Sequence, residues 1–310
     1  MKNIPRRDFL KSAAVLTLGT LGISGQRLFS IEPFIRTGKS RLLPSLAAYS
    51  FRDYFIHGGS KKQIPEDKRI DLFKFIDMCA DYGCVGTELT SYYFPPDTDK
   101  DFLLKIKRYA FLKGINISGT AVGNTFTHPE GEARNKEIAH VKKWIEFAAI
   151  MGAPHIRVFA GNAGNLSYNE AKSNCIKALE ECAEYAGKYG IFLGLENHGG
   201  IVAEPQQILD IIKEVKSPWV GINLDTGNFR TDDPYKDLEL CAPYAVNVQI
   251  KVEIRRRNQN KSEPTDFSRI IKILRNANYQ GYVALEYEAA EDPWIAVPRY
   301  MNEIVKLCAS

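Results

Sequence analysis

Residues 191–225 read IFLGLENHGGIVAEPQQILDIIKEVKSPWVGINLD. The two apolar runs at its ends, 191–196 and 219–225, have the length and composition of buried strands, and each finishes on an acid, Glu196 and Asp225. Between them, 205–216 repeats its apolar residues with a helical period. A strand, a helix and a second strand of these lengths form a parallel crossover unit. The alternation continues in both directions. Strand signals recur at 46–51, 84–90, 115–122, 154–160, 245–251 and 282–287. Helical periods fall at 66–82, 98–113, 132–151, 167–189, 233–242, 265–278 and 293–307. Ser167 and Thr265 read as helix starts; Gly83, Gly114, Gly152, Gly190 and Asn278 read as helix ends. Eight strand–helix pairs in about 265 residues predict one domain, a (β/α)8 TIM barrel over 44–310. An open, doubly wound sheet is the alternative, but no G-x-G-x-x-G follows the first strand.

The chain has 310 residues and a net charge of +4, which conceals an asymmetry. Eight of the 41 basic residues but only Asp8 and Glu32 of the 37 acidic ones lie in residues 1–43, leaving 33 basic and 35 acidic residues for the rest. A body of net charge −2 lacks the electrostatic footprint of a nucleic-acid binder. Arg6-Arg7-Asp8-Phe9-Leu10-Lys11 and the weakly apolar stretch after it read as a twin-arginine export signal, with 1–43 as signal and linker. The expected location is therefore the periplasm. No stretch has the length and hydrophobicity of a stable membrane span. The six cysteines form no C-x-x-C pair and read as buried thiols.

In a barrel of this kind the active site lies at the carboxyl ends of the strands. Strand side chains alternate between faces, so the apolar residues that meet the helices fix which neighbours point inward. Leu193 and Leu195 face outward, which turns Glu196 inward. By the same parity Asn223 and Asp225 face inward, then Asn247, Gln249 and Lys251, and finally Glu286. Three carboxylates in one pocket repel each other. A divalent cation held by Glu196, Asp225 and Glu286, with the amide oxygen of Gln249 as fourth ligand, relieves that repulsion. All-oxygen ligands favour Mn2+ or Mg2+ over Zn2+, with Co2+ also admissible. The alternative is a metal-free pocket in which Arg157 or Lys251 pairs with the acids.

The strings Gly194–Gly200 (GLENHGG), Asn223–Asn228 (NLDTGN), Val246–Lys251 (VNVQIK) and Gly281–Glu286 (GYVALE) resemble the metal-binding strands of the xylose-isomerase-like sugar isomerases and epimerases. That superfamily includes tagatose epimerases, inosose dehydratases, hydroxypyruvate isomerases and endonuclease IV. The resemblance implies Glu196, Asp225, Gln249 and Glu286 as ligands. Gln249 departs from the commoner His, as it does in hydroxypyruvate isomerases. The Asn-His-Gly-Gly run and the ending Ala284-Leu-Glu-Tyr-Glu288 resemble an exported Bacteroidetes-type branch, some of whose relatives act on 3-keto-glycosides made by a separate sugar oxidoreductase.

Around the four ligands, His198 and His128 read as proton carriers or substrate contacts, or as loop hydrogen-bonding groups. Lys251 reads as a group that stabilises an enolate oxygen or as a carboxylate partner. Arg157 is expected to orient Glu196, Glu88 to bind a sugar hydroxyl, and Tyr49, ending strand one, to wall the sugar or pack. The loop from Glu253 to Glu263, with Arg255, Arg256, Arg257 and Lys261, reads as a solvated basic loop, with a lid or an anion clamp for phosphate as the alternative. The expected chemistry is metal-assisted proton abstraction beside a carbonyl by Glu196, Glu286 or His198, giving an isomerase or epimerase. A 3-keto-glycoside lyase and a non-catalytic sugar-binding barrel are the alternatives. The expected partner is a small sugar or keto-sugar, and a nuclease is disfavoured.

Overall fold

The computed structural model describes residues 31–59 and 62–310; the Arg6-Arg7 pair expected to be an export signal lies outside these described residues. Eight parallel strands close a barrel. In chain order they are β1 (Arg41–Ala47), β2 (Gly86–Thr90), β3 (Asn116–Ala121), β4 (His155–Val158), β5 (Phe192–Glu196), β6 (Val220–Asp225), β7 (Ala245–Ile250) and β10 (Gln280–Leu285). They neighbour one another in the order β1-β10-β7-β6-β5-β4-β3-β2. A short antiparallel hairpin, β8 (Glu253–Ile254) and β9 (Glu263–Pro264), interrupts the connection after β7.

The helices of the described residues are α1 (Leu72–Asp81), α2 (Lys100–Leu112), α3 (Glu132–Met151), α4 (Tyr168–Tyr189), α5 (Pro205–Glu214), α6 (Pro234–Cys241), α7 (Phe267–Asn276) and α8 (Pro293–Ala309). One follows each barrel strand, so the chain forms the expected (β/α)8 barrel and not an open sheet. Among the described residues no helix is long and apolar enough to cross a membrane.

Local chemistry sets the boundaries. Ser167 starts α4 with a reciprocal capping box to Glu170. Gly152 and Gly190 end α3 and α4 in the left-handed conformation, where a Cβ is costly. Helix α7 is capped by Asp266, whose carboxylate accepts from the Arg269 N–H, and not by Thr265. The first strand is also shifted, from the expected 46–51 to Arg41–Ala47. Pro44 disguised it, since proline reads as a strand breaker. Its missing N–H is tolerated and its carbonyl still accepts from Val85 N at 2.9 Å. Residues 48–51 instead form a 3-10 turn, so Tyr49 stands just beyond the strand.

Residues 31–40 lie against the amino-terminal ends of the strands. Phe34 N donates to Pro243 O at 3.0 Å, and its ring meets Phe192 edge-on at 6.1 Å. The Arg36 guanidinium donates to the Ala245 carbonyl and lies over the rings of Phe34 and Tyr279. This end of the barrel is thereby closed by chain that precedes β1.

The outward faces of the strands are apolar, with Leu193, Leu195, Ile222, Leu224, Val248, Ile250, Val283 and Leu285 all buried. The inward faces carry an unusual amount of polar material: Ser45, Glu88, Ser118, His155, Arg157, Asn223, Asn247 and Gln249 are buried there. Such groups cost free energy unless they bond to one another. Ser45 and Ser118 share a hydrogen bond of 2.8 Å, and Asn247 donates to Glu88 and to Asn223 at 2.9 and 2.8 Å. His155 lies directly over Gly119, where a Cβ would come within 2.0 Å of the ring.

Burial pushes the His155 imidazole down to about 4, against a smaller upward pull from its bond to the Ser118 backbone. The folded protein therefore keeps it neutral in a range where the unfolded chain protonates it. The resulting stability is complete above the ordinary value of 6.5, falls as the pH drops below it, and levels off near pH 4. The loss is roughly 3 kcal/mol for a shift of this size. Urea denaturation at several pH values should show the acid slope, and His155→Leu should remove that part of it; an unchanged slope contradicts this account.

Candidate active site

Strands β5 and β6 deliver Glu196 and Asp225 as their last residues; Glu286 follows β10 by one position and Lys251 follows β7 by one. All four are buried. Their side chains meet at the carboxyl end of the barrel. The Lys251 ammonium donates to Glu286 Oε2 at 2.8 Å and to Glu288, and stands 3.4 Å from Asp225 Oδ2. Gly227, just after β6, leaves room for it: a Cβ there would come within 2.7 Å of the Lys251 side chain.

Glu196 is held from two sides. Arg157, in β4, brings Nε within 2.9 Å of Oε2, an ion contact without an aligned hydrogen bond. The guanidinium donates to the Val122 carbonyl at 2.7 Å and lies 3.9 Å from the centre of the Phe159 ring. On the other side His198 Nδ1 is 2.7 Å from Oε1, and Asn228 Nδ2 donates to the same oxygen at 2.9 Å. Burial raises the Glu196 carboxyl, but Arg157 and His198 together hold it below the usual range. The bond to Glu196 raises the His198 imidazole in turn, and its side chain is 56% exposed, so it forms part of the rim.

Deeper in the barrel, Glu88 is fully buried and accepts from Gln249 Nε2 at 2.6 Å and from Asn247 Nδ2. It thus points inward, as expected, and sits among amides. Gln249 lies beside it. Its Oε1 accepts from Asn223 Nδ2 at 2.6 Å, so the amide bridges β2 and β6 inside the barrel and only its remaining lone pair faces elsewhere. Tyr49 is half-buried; burial raises its hydroxyl, helped by the negative charge of Glu288 and Glu286. His128, in the loop after β3, is half-buried, and among the described residues no hydrogen bond or ion pair joins it to the cluster.

Whether these residues suit a metal ion is decided by charge. Four carboxylates, Glu88, Glu196, Asp225 and Glu286, are buried beside only two buried cations, Arg157 and Lys251. The surplus of two negative charges in low dielectric requires two protons or one divalent cation. Burial raises Asp225 to about 8, opposed by Lys251 and assisted by Glu196 and Glu286, and burial with Glu286 raises Glu88 to about 7. Asp225 Oδ2 is buried with no hydrogen bond. The oxygens of Glu196, Asp225 and Glu286 therefore fit a hard divalent ion, with Gln249 the weakest donor. As arranged around Lys251 they are spread apart: among the described residues no three His, Cys, Asp or Glu side chains are gathered closely enough to hold an ion.

Two groups at this site were passed over in the sequence. Glu288 lies two residues beyond Glu286, on the same parity, and that spacing was the available signal. Asn228 sits inside the NLDTGN string, but nothing in its spacing shows that the loop after β6 turns its amide back onto β5.

The sequence profile of the xylose isomerase-like TIM barrel family matches residues 76–304. A Xenopus laevis protein provisionally named hydroxypyruvate isomerase is 24% identical over 179 residues, which are 53% of this chain and 64% of that protein. The chain spans about half to two thirds of the length of the curated relatives it matches. Among solved structures, a D-psicose 3-epimerase determined in the presence of D-fructose superposes with a TM-score of 0.67 at 15% identity, over 86% of this chain and 97% of that one. A 3-keto-D-glucoside 4-epimerase from E. coli superposes with a TM-score of 0.64 at 17% identity, over 87% of this chain and all of that one. At such identities the structures speak for the fold alone. With the family profile matched over most of its length, and the closed barrel already in place, this chain belongs to the xylose isomerase-like TIM barrel family.

Proposed function

We propose that this protein is a divalent-metal-dependent isomerase or epimerase of a keto-sugar, working by proton abstraction beside a carbonyl. The observation that carries the reading is the set of buried carboxylates, Glu196, Asp225 and Glu286 at the carboxyl ends of β5, β6 and β10, which together with Glu88 below them outnumber the buried cations Arg157 and Lys251 by two. Glu196, Asp225 and Glu286 would hold the ion, Mn2+ or Mg2+ by the hardness of the donors, with Gln249 as an additional oxygen. When bound, it supplies Lewis-acid polarisation of a carbonyl and lowers the acidity barrier of the neighbouring C–H.

The chain's own residues supply the rest. Glu196 and Glu286 come from strands separated by β6 and β7, so they flank the mouth from two sides. One takes the proton and the other, already protonated, delivers its own proton to the opposite face, giving the epimer; delivery to the adjacent carbon gives the isomer. Arg157 and Asn228 fix the Glu196 carboxylate, and Lys251 places a positive charge beside the oxygen that becomes negative.

A second reading uses the same first step. His198 stands at the exposed rim, bonded to Glu196, where it can protonate a departing oxygen. On a 3-keto-glycoside, loss of the C2 proton, formation of a C1–C2 double bond and cleavage of the C1–O bond would then release the aglycone with the His198 proton. A partner oxidoreductase would make such a substrate, and export directed by Arg6-Arg7 would place this protein in the periplasm. A non-catalytic barrel predicts binding with no exchange of solvent hydrogen.

The test is to incubate the Mn2+-treated protein with ketohexoses and with a 3-keto-glucoside in D2O and follow both by NMR. Deuterium in an intact sugar identifies the isomerase or epimerase, and free aglycone identifies the lyase. Binding without either outcome leaves only the sugar-binding barrel. Metal dependence has its own readout. Mn2+ at about a hundred times its Kd should stabilise the fold by about 2.7 kcal/mol, and Asp225→Asn should abolish this. An unchanged melting temperature and no metal uptake on dialysis would remove the metal from the reading.

A further inference from the structure

Inside the barrel, four side chains from β2, β6 and β7 close a circuit of hydrogen bonds. Gln249 Nε2 donates to Glu88 Oε1 at 2.6 Å, and Asn223 Nδ2 donates to Gln249 Oε1 at 2.6 Å. Asn247 Nδ2 donates to Asn223 Oδ1 at 2.8 Å and, with its other hydrogen, to Glu88 Oε2 at 2.9 Å. All four residues are buried. The sheet sets their spacing: Asn223 is registered with Asn247 across β6 and β7, and Asp225 with Gln249.

The two ends of an amide have nearly the same shape, so its partners decide which end is oxygen and which is NH2. In this circuit the decision starts at Glu88. An ionised carboxylate has no hydrogen to give, so Gln249 and Asn247 must both turn NH2 toward it. Asn247 meets both of its partners through that one NH2 group. Asn223 must then give its oxygen to Asn247 and its NH2 to Gln249. Gln249 is left with its oxygen facing β6, where Asp225 is the next inward residue. Every contact is satisfied. A glutamine at position 88 would donate at one end and accept at the other. Two like groups would then meet somewhere round the circuit, whichever way each amide turned, and a buried mismatch of that kind is costly.

We infer that Glu88 is a positioning residue, which fixes the Gln249 amide with its oxygen, and not its NH2, on the side of Asp225 and so makes that oxygen available to the divalent ion of the proposed reaction. The orientation belongs to the protein without metal; only its consequence for the ion rests on the proposed function. Reversed, the amide would present hydrogens where a hard cation requires oxygen.

Two variants separate orientation from charge. Glu88→Gln should lower the melting temperature of the metal-free protein by about 5 °C. It should also weaken Mn2+ binding, measured by calorimetry at pH 8, by about 10- to 100-fold. Burial and Glu286 raise the Glu88 carboxyl to about 7, so at pH 8 it is mostly ionised in the unsubstituted protein. Adding Asn223→Asp to Glu88→Gln restores the charge and moves the carboxylate to β6. Every contact can then be satisfied again, but only with Gln249 reversed, its NH2 toward β6. The doubly substituted protein should therefore regain most of the melting temperature while its Mn2+ affinity stays low. Recovery of the affinity along with the stability overturns the inference, because charge alone then explains the loss. An unchanged affinity in Glu88→Gln, or a melting temperature that the second substitution does not restore, overturns it as well. If the unsubstituted protein binds no Mn2+, the metal reading fails and takes the role toward the ion with it. The melting temperatures then decide the circuit by themselves.

Discussion

Replacing Glu286 by Gln should slow solvent-deuterium incorporation into the bound keto-sugar by about 100- to 10,000-fold, the range expected when a positioned acid–base group is lost. The substitution is nearly isosteric. Its carbonyl oxygen can still accept from Lys251, so the cluster should persist and sugar affinity should change far less than exchange. Glu196→Gln should slow exchange over a similar range, but with a second consequence. It leaves Arg157 buried beside a neutral amide, so the fold weakens as well. Glu286→Gln is therefore the cleaner measurement, read as an exchange rate by NMR beside a binding curve. If both variants exchange at the original rate, the two carboxylates do not move the proton and the proposed chemistry is wrong.

Arg157→Met should destabilise the protein by about 3–5 kcal/mol, because it strands a buried carboxylate. In melting temperature this is on the order of 10 °C. Arg157 is 4% exposed, and Glu196 has no other full positive charge against it apart from His198 at the rim. Three contacts disappear together: the ion contact to Glu196, the bond to the Val122 carbonyl and the stacking on Phe159. Adding Glu196→Gln to Arg157→Met should recover part of the loss, since the orphaned charge is then gone. The pair should deviate from additivity by roughly 0.5–3 kcal/mol. Additive losses would mean that Arg157 stabilises the barrel through packing and the Val122 bond alone.

The strand-end acids were legible because two local rules suffice to place them. Side chains alternate along a strand, and apolar residues such as Leu195, Leu224 and Leu285 identify the helix-facing side. Glu196, Asp225 and Glu286 follow from these. The same rules gave Glu88 its inward direction but not its depth. Whether an inward residue reaches the mouth depends on how far along the barrel its strand places it, and that is set by the stagger of eight strands together. Gln249 shows the same limit. Its parity is inward, yet its amide is taken up by Glu88, 161 positions away, and by Asn223. No spacing in the sequence encodes that pairing.

By itself, then, the sequence determined the alternation of strands and helices, the closed barrel, and the three carboxylates at one end of it. These depend on periodicity and on neighbours close in the chain. Only the tertiary structure decided how the charges are shared: Arg157 to Glu196, and Lys251 among Asp225, Glu286 and Glu288. Ion pairing depends on distances between side chains far apart in sequence, and those distances exist only after the barrel has closed.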